Sequence, residues 1–329
     1  MSLPLSPRRR PRRDTVRLLA GLAALSALAV FATALFWPRH DARTAHPVGI
    51  PGKPPFDAAS LNANDIDTVN PDALFWEMFL RQARQPTVHT RRETFTNPRQ
   101  AASRNLFSIH DDSIDHHTHR YVGTHVENWR GALKIVDRCA NSARHSRDTY
   151  DTRWEPDGYS SMCRMRPFLG DGILPSGLTM DEAGRMISMI SLQYQDFLHA
   201  GKPSFVDIGG KHYVRLPVHA QPLNINGRYW GKQILTWAFQ ETGLDSDNHG
   251  YTPGNPSSGA DIVYYLDPST LLPAYTYRHD IPPPPRPGRP PKPGQALVNR
   301  VEYVRPAHVP SDPLADTTPH QLSWPPDAH

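Results

Sequence analysis

Residues 205–218 read FVDIGGKHYVRLPV, two runs of period-two residues joined by Gly209-Gly210. That period marks half-buried strands. A two-residue glycine link accepts the positive φ that a tight antiparallel hairpin needs. Immediately upstream the period is helical. Ala183, Met186, Ile187, Ile190, Tyr194, Phe197 and Leu198 keep i, i+3, i+4 spacing, behind a Thr179–Glu182 capping box and ahead of the stop signals Gly201 and Pro203. The change of period at Gly201 therefore predicts an α+β chain, with a helical first half packed on a C-terminal antiparallel sheet.

Downstream, further hairpins follow. Leu223-Asn224-Ile225, Asn226-Gly227 and Arg228-Tyr229-Trp230 form one. Residues 233–240 fit a strand or a short helix closed by Gly243, and residues 243–260 read as a loop. Ile262 to Leu266 and Leu272 to Tyr277 flank the turn Asp267-Pro268-Ser269-Thr270. Within it Tyr265 to Pro273, YLDPSTLLP, resembles the strand–turn–strand of envelope lipoprotein-carrier half-barrels over this one hairpin. Residues 282–295 are a proline-rich insert suited to polyproline II, residues 296–304 a terminal strand, and residues 305–329 an irregular tail.

Upstream, the helical reading extends to residue 70. Asn70-Pro71 is a helix start before the apolar stripe Leu74, Phe75, Met78 and Phe79. Asn97-Pro98 repeats the signal before Ala101, Ala102 and Leu106. Thr124 and Glu127 make another capping box, and Trp129, Leu133, Val136 and Ala140 supply a buried helical face beside Cys139.

The N-terminus predicts location. Leu18 to Trp37 is uncharged and follows Arg8, Arg9, Arg10, Arg12, Arg13 and Arg17. A helix of that length reaches ~30 Å, enough to cross a bilayer core. The basic segment 1–17 is expected to stay cytoplasmic, placing the remainder outside. The expected order is a transmembrane signal-anchor at 18–37 in a bacterial inner membrane, a proline-rich linker at 38–55 and a periplasmic α+β domain at 56–281. A cleaved signal peptide, with Ala32-Thr33-Ala34 at its end, and a twin-arginine signal at Arg12-Arg13 are the alternatives; each exports the rest.

Charge excludes nucleic acid as a partner. The net +4 is carried by the leader: with six arginines and one aspartate in residues 1–17, totals of 36 and 32 leave 30 basic and 31 acidic residues beyond it. In an oxidising compartment the two cysteines, Cys139 and Cys163, are expected to form a disulfide.

Two surfaces are candidate sites. The first is a histidine cluster: His110, Asp111, Asp112, Asp115, His116, His117, His119 and His125. Imidazole and carboxylate are zinc ligands, and His117 and His119 with Asp115 would form the metal set. The spacing matches no metalloprotease helix, so the expectation is a solvated loop without catalytic metal. The second is aromatic: Tyr213, Tyr229, Trp230, Trp237, Tyr264 and Tyr275 fall on predicted strands and would make a recognition patch if exposed. No nucleophile elbow, phosphate loop or Cys-x-x-Cys is present, and Asp207, Asp261 and Asp280 each lie near predicted strand ends, where sequence alone pairs none of them with a base. The expectation is a membrane-anchored, non-enzymatic periplasmic accessory protein that binds an envelope protein partner and needs no cofactor. The alternatives are an envelope carrier of a lipid or apolar ligand, and a metal-dependent hydrolase using residues 110–125.

Overall fold

The computed structural model describes residues 61, 66–95, 106–118, 120–129, 131–140, 143–146, 155–156, 174–193, 197–221, 223–225, 228–230, 238, 241–244, 259–281 and 298–305. The anchor segment Leu18–Trp37 and Cys163 lie outside them. Among the described residues no helix is long and apolar enough to cross a membrane.

The chain is mainly β. A short 3-10 turn at Ile66–Thr68 leads into helix α1 (Pro71–Ala83). Strands β1 (Thr87–Phe95), β2 (Leu106–Asp115), β3 (Arg120–Trp129), β4 (Ala132–Ala140), β5 (Ala143–Ser146) and β6 (Glu155–Pro156) follow as an antiparallel meander. Helix α2 (Met180–Gln193) precedes β7 (Leu198–Ala200), β8 (Ser204–Ile208), β9 (Lys211–Ala220), β12 (Gly259–Leu266), β13 (Pro273–Ile281) and β14 (Val298–Val304). All these strands join one twelve-stranded sheet in the order β6-β5-β4-β3-β2-β1-β14-β13-β12-β9-β7, with β8 sharing the outer edge of β9. β10 (Leu223–Ile225) and β11 (Arg228–Trp230) pair separately.

The helical first half is corrected. Thr124 and Glu127 do not cap a helix; both lie on β3. Trp129, Leu133, Val136 and Ala140 straddle a hairpin, because β3 ends at Trp129 and β4 starts at Ala132. Gly131 turns the chain with φ +87°, and its N–H donates to Asn128 Oδ1 at 3.0 Å. The spacing that resembles a helix face comes from two strands on either side of that glycine. Leu106 opens β2 and does not extend a helix begun at Asn97-Pro98, which lies outside the described residues.

Other expectations hold. Asn70 caps α1, its Oδ1 accepting from Ala73 N–H at 3.1 Å. The Thr179–Glu182 capping box closes in both directions at 2.8 and 3.3 Å. Gly209 and Gly210 take φ of +59° and +77°, the left-handed pair of a tight hairpin, between β8 and β9. α2 ends earlier than its apolar stripe, since Leu198 belongs to β7. Pro217 sits where the outer edge of β9 passes from β8 to β7, and Gly201 N–H donates to its carbonyl at 2.8 Å.

The terminal strand is central. β14 pairs with β1 on one side and β13 on the other, joining the two halves of the sheet. Both helices lie against the same face, packed on each other. Leu74, Phe75, Met78 and Phe79 of α1 and Met186, Ile187 and Ile190 of α2 share one core with Leu216, Val218, Ile262, Tyr264, Val301 and Tyr303.

The Asp267 turn carries a pH prediction. Asp267 Oδ1 accepts from Ser269 N–H at 2.9 Å, Ser269 Oγ at 2.5 Å and Thr270 N–H at 3.3 Å, while Oδ2 meets Lys211 Nζ at 3.2 Å. The Ser269 hydroxyl first, then the turn amides and Lys211, outweigh partial burial and hold the carboxyl at about 2. A carboxyl depressed in the folded state stabilises fully above its unfolded value of ~3.9, and that contribution is lost as pH falls through the folded value. Acid titration followed by carboxyl NMR should place Asp267 near 2, and Asp267→Asn should remove its share of the stability loss between ~4 and ~2.

Candidate functional site

The histidine cluster disperses in the fold. Asp115 Oδ1 accepts from His117 N–H at 2.9 Å and Thr118 N–H at 3.3 Å, and Oδ2 accepts from Thr118 Oγ1 at 2.8 Å, so this carboxylate shapes the β2–β3 turn. His117 is exposed on that turn, and His119 lies outside the described residues. His116 Nε2 meets Ser176 Oγ at 2.8 Å, docking the turn on the segment before α2. His110 and His125 are cross-strand neighbours with rings stacked 4.0 Å apart. Among the described residues no group of three or more His, Cys, Asp or Glu side chains is arranged to hold a metal.

The aromatic candidates divide between the two faces of the sheet, because successive strand residues point to opposite sides. Tyr264 points to the helices, is 2% exposed and packs 6.2 Å from Phe75. It belongs to the core and not to a surface patch. Tyr213 and Tyr275 lie on the other face, edge-to-face at 5.7 Å, in a cluster with Tyr265, Val206, Val263 and Tyr277. Lys211 Nζ stands 5.3 Å from the Tyr213 ring centroid. Burial pushes the Tyr275 hydroxyl up to about 12, so it is a neutral donor at physiological pH. Tyr229 and Trp230 belong to β11, away from the main sheet's ladder, and Trp237 lies outside the described residues.

The helix-side face holds a feature that sequence patterning missed. On β9 and β12 it is apolar: Leu216, Val218, Tyr264 and Ile262. Across β13, β1 and β2 buried polar residues join it, beside Val301 and Tyr303 of β14 and Val88 and Ile114, which stay apolar. Thr276, Arg278, Thr90, Arg92, Thr94, Ser108 and Asp112 are all buried there, with Arg278 at 1% exposure. The register places them on one side, pairing Thr90 with Asp112, Arg92 with His110 and Thr94 with Ser108. Tyr121 Oη donates to Asp112 Oδ1 at 2.6 Å. The carboxylate lies over Gly123, where any Cβ would overlap it. The β1 segment, TVHTRRETF, has few apolar residues to alternate, which is why period counting passed over it.

On the opposite face of the same strands, His89 Nε2 and Asp111 Oδ1 lie 2.5 Å apart, and Arg91 Nη1 reaches Asp111 Oδ2 at 3.3 Å. Burial lowers the His89 pKa, and the Asp111 carboxylate more than reverses it, so the imidazolium persists above its ordinary range.

No protein-family profile matches the chain, and no curated protein matches it. Several solved structures show distant likeness. One is the Mycobacterium tuberculosis lipoprotein LppX, 9% identical, covering 69% of this chain and 90% of that chain with a TM-score of 0.33. Another is a LolA superfamily protein from Nitrosomonas europaea, 7% identical, covering 74% of this chain and 96% of that chain with a TM-score of 0.24.

Proposed function

We propose that this chain is a non-enzymatic protein of the bacterial envelope that shelters an amphiphilic, lipid-like ligand between its helices and its sheet. One observation carries the reading: the helix-side face is apolar across β9 and β12, and toward β13, β1 and β2 it mixes apolar residues with buried polar ones, Arg92 and Arg278 among them. A ligand with a hydrocarbon chain and a polar head matches that division. The chain would lie toward Leu216, Val218 and Ile262, and the head toward Arg92 and Arg278. Met78, Met186 and Met189 line the helix side, and unbranched thioethers adapt to a guest's shape. The anchor at Leu18–Trp37 and the linker at 38–55 would hold this unit on the periplasmic side of the inner membrane.

The test is extraction of the full chain, purified in detergent, with organic solvent and mass spectrometry. The expected result is about one amphiphile per chain and saturable uptake of a fluorescent fatty-acid analogue. Absence of both overturns the carrier reading. A periplasm-active reporter fused after residue 60 should be active, and activity of a cytoplasmic reporter alone would reverse the topology.

A second reading, an accessory protein docking an envelope partner, is favoured by the half-buried Tyr275 and Tyr277 on the face opposite the helices. Crosslinking in intact cells that maps a protein contact to these strands supports it.

A further inference from the structure

Helix α1 ends against the turn that joins β12 to β13, and a cleft of about 250 Å³ opens between them. Arg81, Arg84 and Gln85 line it from the helix side, Thr270 and Leu272 from the turn. Both walls are fixed in place. Arg81 Nη1 donates to Thr270 O at 3.0 Å and bridges them. Arg305 Nη2 donates to Gln82 Oε1 at 2.7 Å and to Pro273 O at 2.9 Å, a second bridge behind the first. Leu271 takes φ +59°, a left-handed conformation unfavourable for leucine, and complete burial of its side chain holds the turn there.

We propose that this cleft binds a phosphate group, held by the guanidiniums of Arg81 and Arg84 with the Thr270 hydroxyl as a neutral donor. The charge has the right sign, because no carboxylate lines the cleft. Glu77 is engaged by Arg81 Nε at 2.7 Å, and Asp267 by Lys211 and the amides of its own turn. Arg84 is exposed, and among the described residues its side chain has no hydrogen-bond or ion-pair partner. Thr270 Oγ1 accepts from Leu272 N–H at 3.3 Å, which leaves its own proton to donate. A helix C-terminus ordinarily repels an anion through its unsatisfied carbonyls. Here those carbonyls are occupied. Arg81 O accepts from Gln85 Nε2 at 2.9 Å, Gln82 O from Gln85 N–H at 3.0 Å and Ala83 O from Leu178 N–H at 2.8 Å.

The donor set selects phosphate. A guanidinium suits it because the planar fork meets two oxygens at once. Two guanidiniums on one wall and a hydroxyl on the other match a tetrahedral group with three terminal oxygens better than a flat carboxylate with two. The cleft opens to solvent past the exposed Arg84 and Thr270, so the phosphate can be that of a lipid headgroup or of a soluble molecule. None of the five lining residues belongs to the core between helices and sheet, so this site stands independently of the carrier reading.

The experiment uses the full chain in detergent with isotope-labelled arginine. Inorganic phosphate replaces chloride at constant ionic strength while NMR follows the arginine Nε–H resonances. The expected result is a saturable shift at Arg81 and Arg84. R84Q should weaken binding about 10-fold or more, the scale of one lost charge-assisted contact. K202Q should leave it unchanged, because Lys202 pairs with Asp67 ahead of the other end of α1. A second titration uses dihexanoyl phosphatidylglycerol below its micelle concentration. Tighter R84Q-sensitive binding of this lipid than of inorganic phosphate supports the site with a headgroup as the source, and equal or weaker binding supports it with a soluble phosphate. No saturable shift with either probe, or binding unchanged in R84Q, overturns the proposal. Far-UV circular dichroism checks that R84Q is folded. If it is not, phenylglyoxal labelling of the unaltered chain decides in its place: protection of Arg84 by phosphate supports the site, and its absence refutes it. Solvent extraction of an amphiphile tests the carrier reading separately, so the two can fail apart.

Discussion

Replacing Phe79 with alanine is expected to lower the unfolding free energy by about 3–5 kcal/mol, the usual cost of emptying a buried phenylalanine site. Phe79 is fully buried, with ring centroids 6.2 Å from Phe75 and 5.9 Å from Trp76. Phe75 in turn meets Tyr264 of the sheet, so Phe79 stands behind the contact that docks α1. A cavity there removes the dispersion contacts with the Phe75 and Trp76 rings, and a close-packed core refills such a void only in part. Urea unfolding should show a lower midpoint with an unchanged slope. A change under ~1 kcal/mol would mean that α1 is not fixed on the sheet.

Gly177→Ala is expected to cost about 2–5 kcal/mol and to act on a different link. Gly177 has φ +75°, a left-handed conformation that costs an L side chain ~1–2 kcal/mol. A Cβ there would also overlap the His116 ring, adding the ~1–3 kcal/mol of an overpacked site. The segment it belongs to is a tie between elements. Gly177 N–H donates to Gln85 O and Leu178 N–H to Ala83 O, both at 2.8 Å, joining the chain before α2 to the end of α1. Hydrogen exchange should therefore speed up at Gly177 and Leu178 ahead of the central strands. His116→Ala in the same chain should recover the overlap part of the loss and leave the φ part. Full stability in Gly177→Ala alone would show that this tie is not made.

The second half of the sheet was legible because its turns declare themselves. Gly209-Gly210 and Asp267-Pro268-Ser269-Thr270 allow few backbone solutions, and each joins two runs rich in β-branched and aromatic residues. Both helices were legible for a similar reason: Asn70-Pro71 and Thr179–Glu182 place a cap immediately before a periodic stripe. The strands β1 to β4 were not. Thr124 and Glu127 are three apart on a strand as they would be in a capping box, and only the position of Gly131 separates the readings. β1 carries Arg91, Arg92 and Glu93 on consecutive buried positions, which no period count assigns to a sheet interior.

The candidate sites divide the same way. Tyr213 and Tyr275 could be placed on strands from their patterns, but which face each served depended on where the helices packed. The sequence by itself determined local matters: helix caps, tight turns and the alternation of β8, β9, β12 and β13. These depend on neighbours within a few residues, where backbone sterics and side-chain caps decide. Only the tertiary structure decided that β14 closes the sheet between β1 and β13 and that buried arginines share a face with an apolar core. Those arrangements follow from strand register, which is set by which faces can be buried together across the whole sheet.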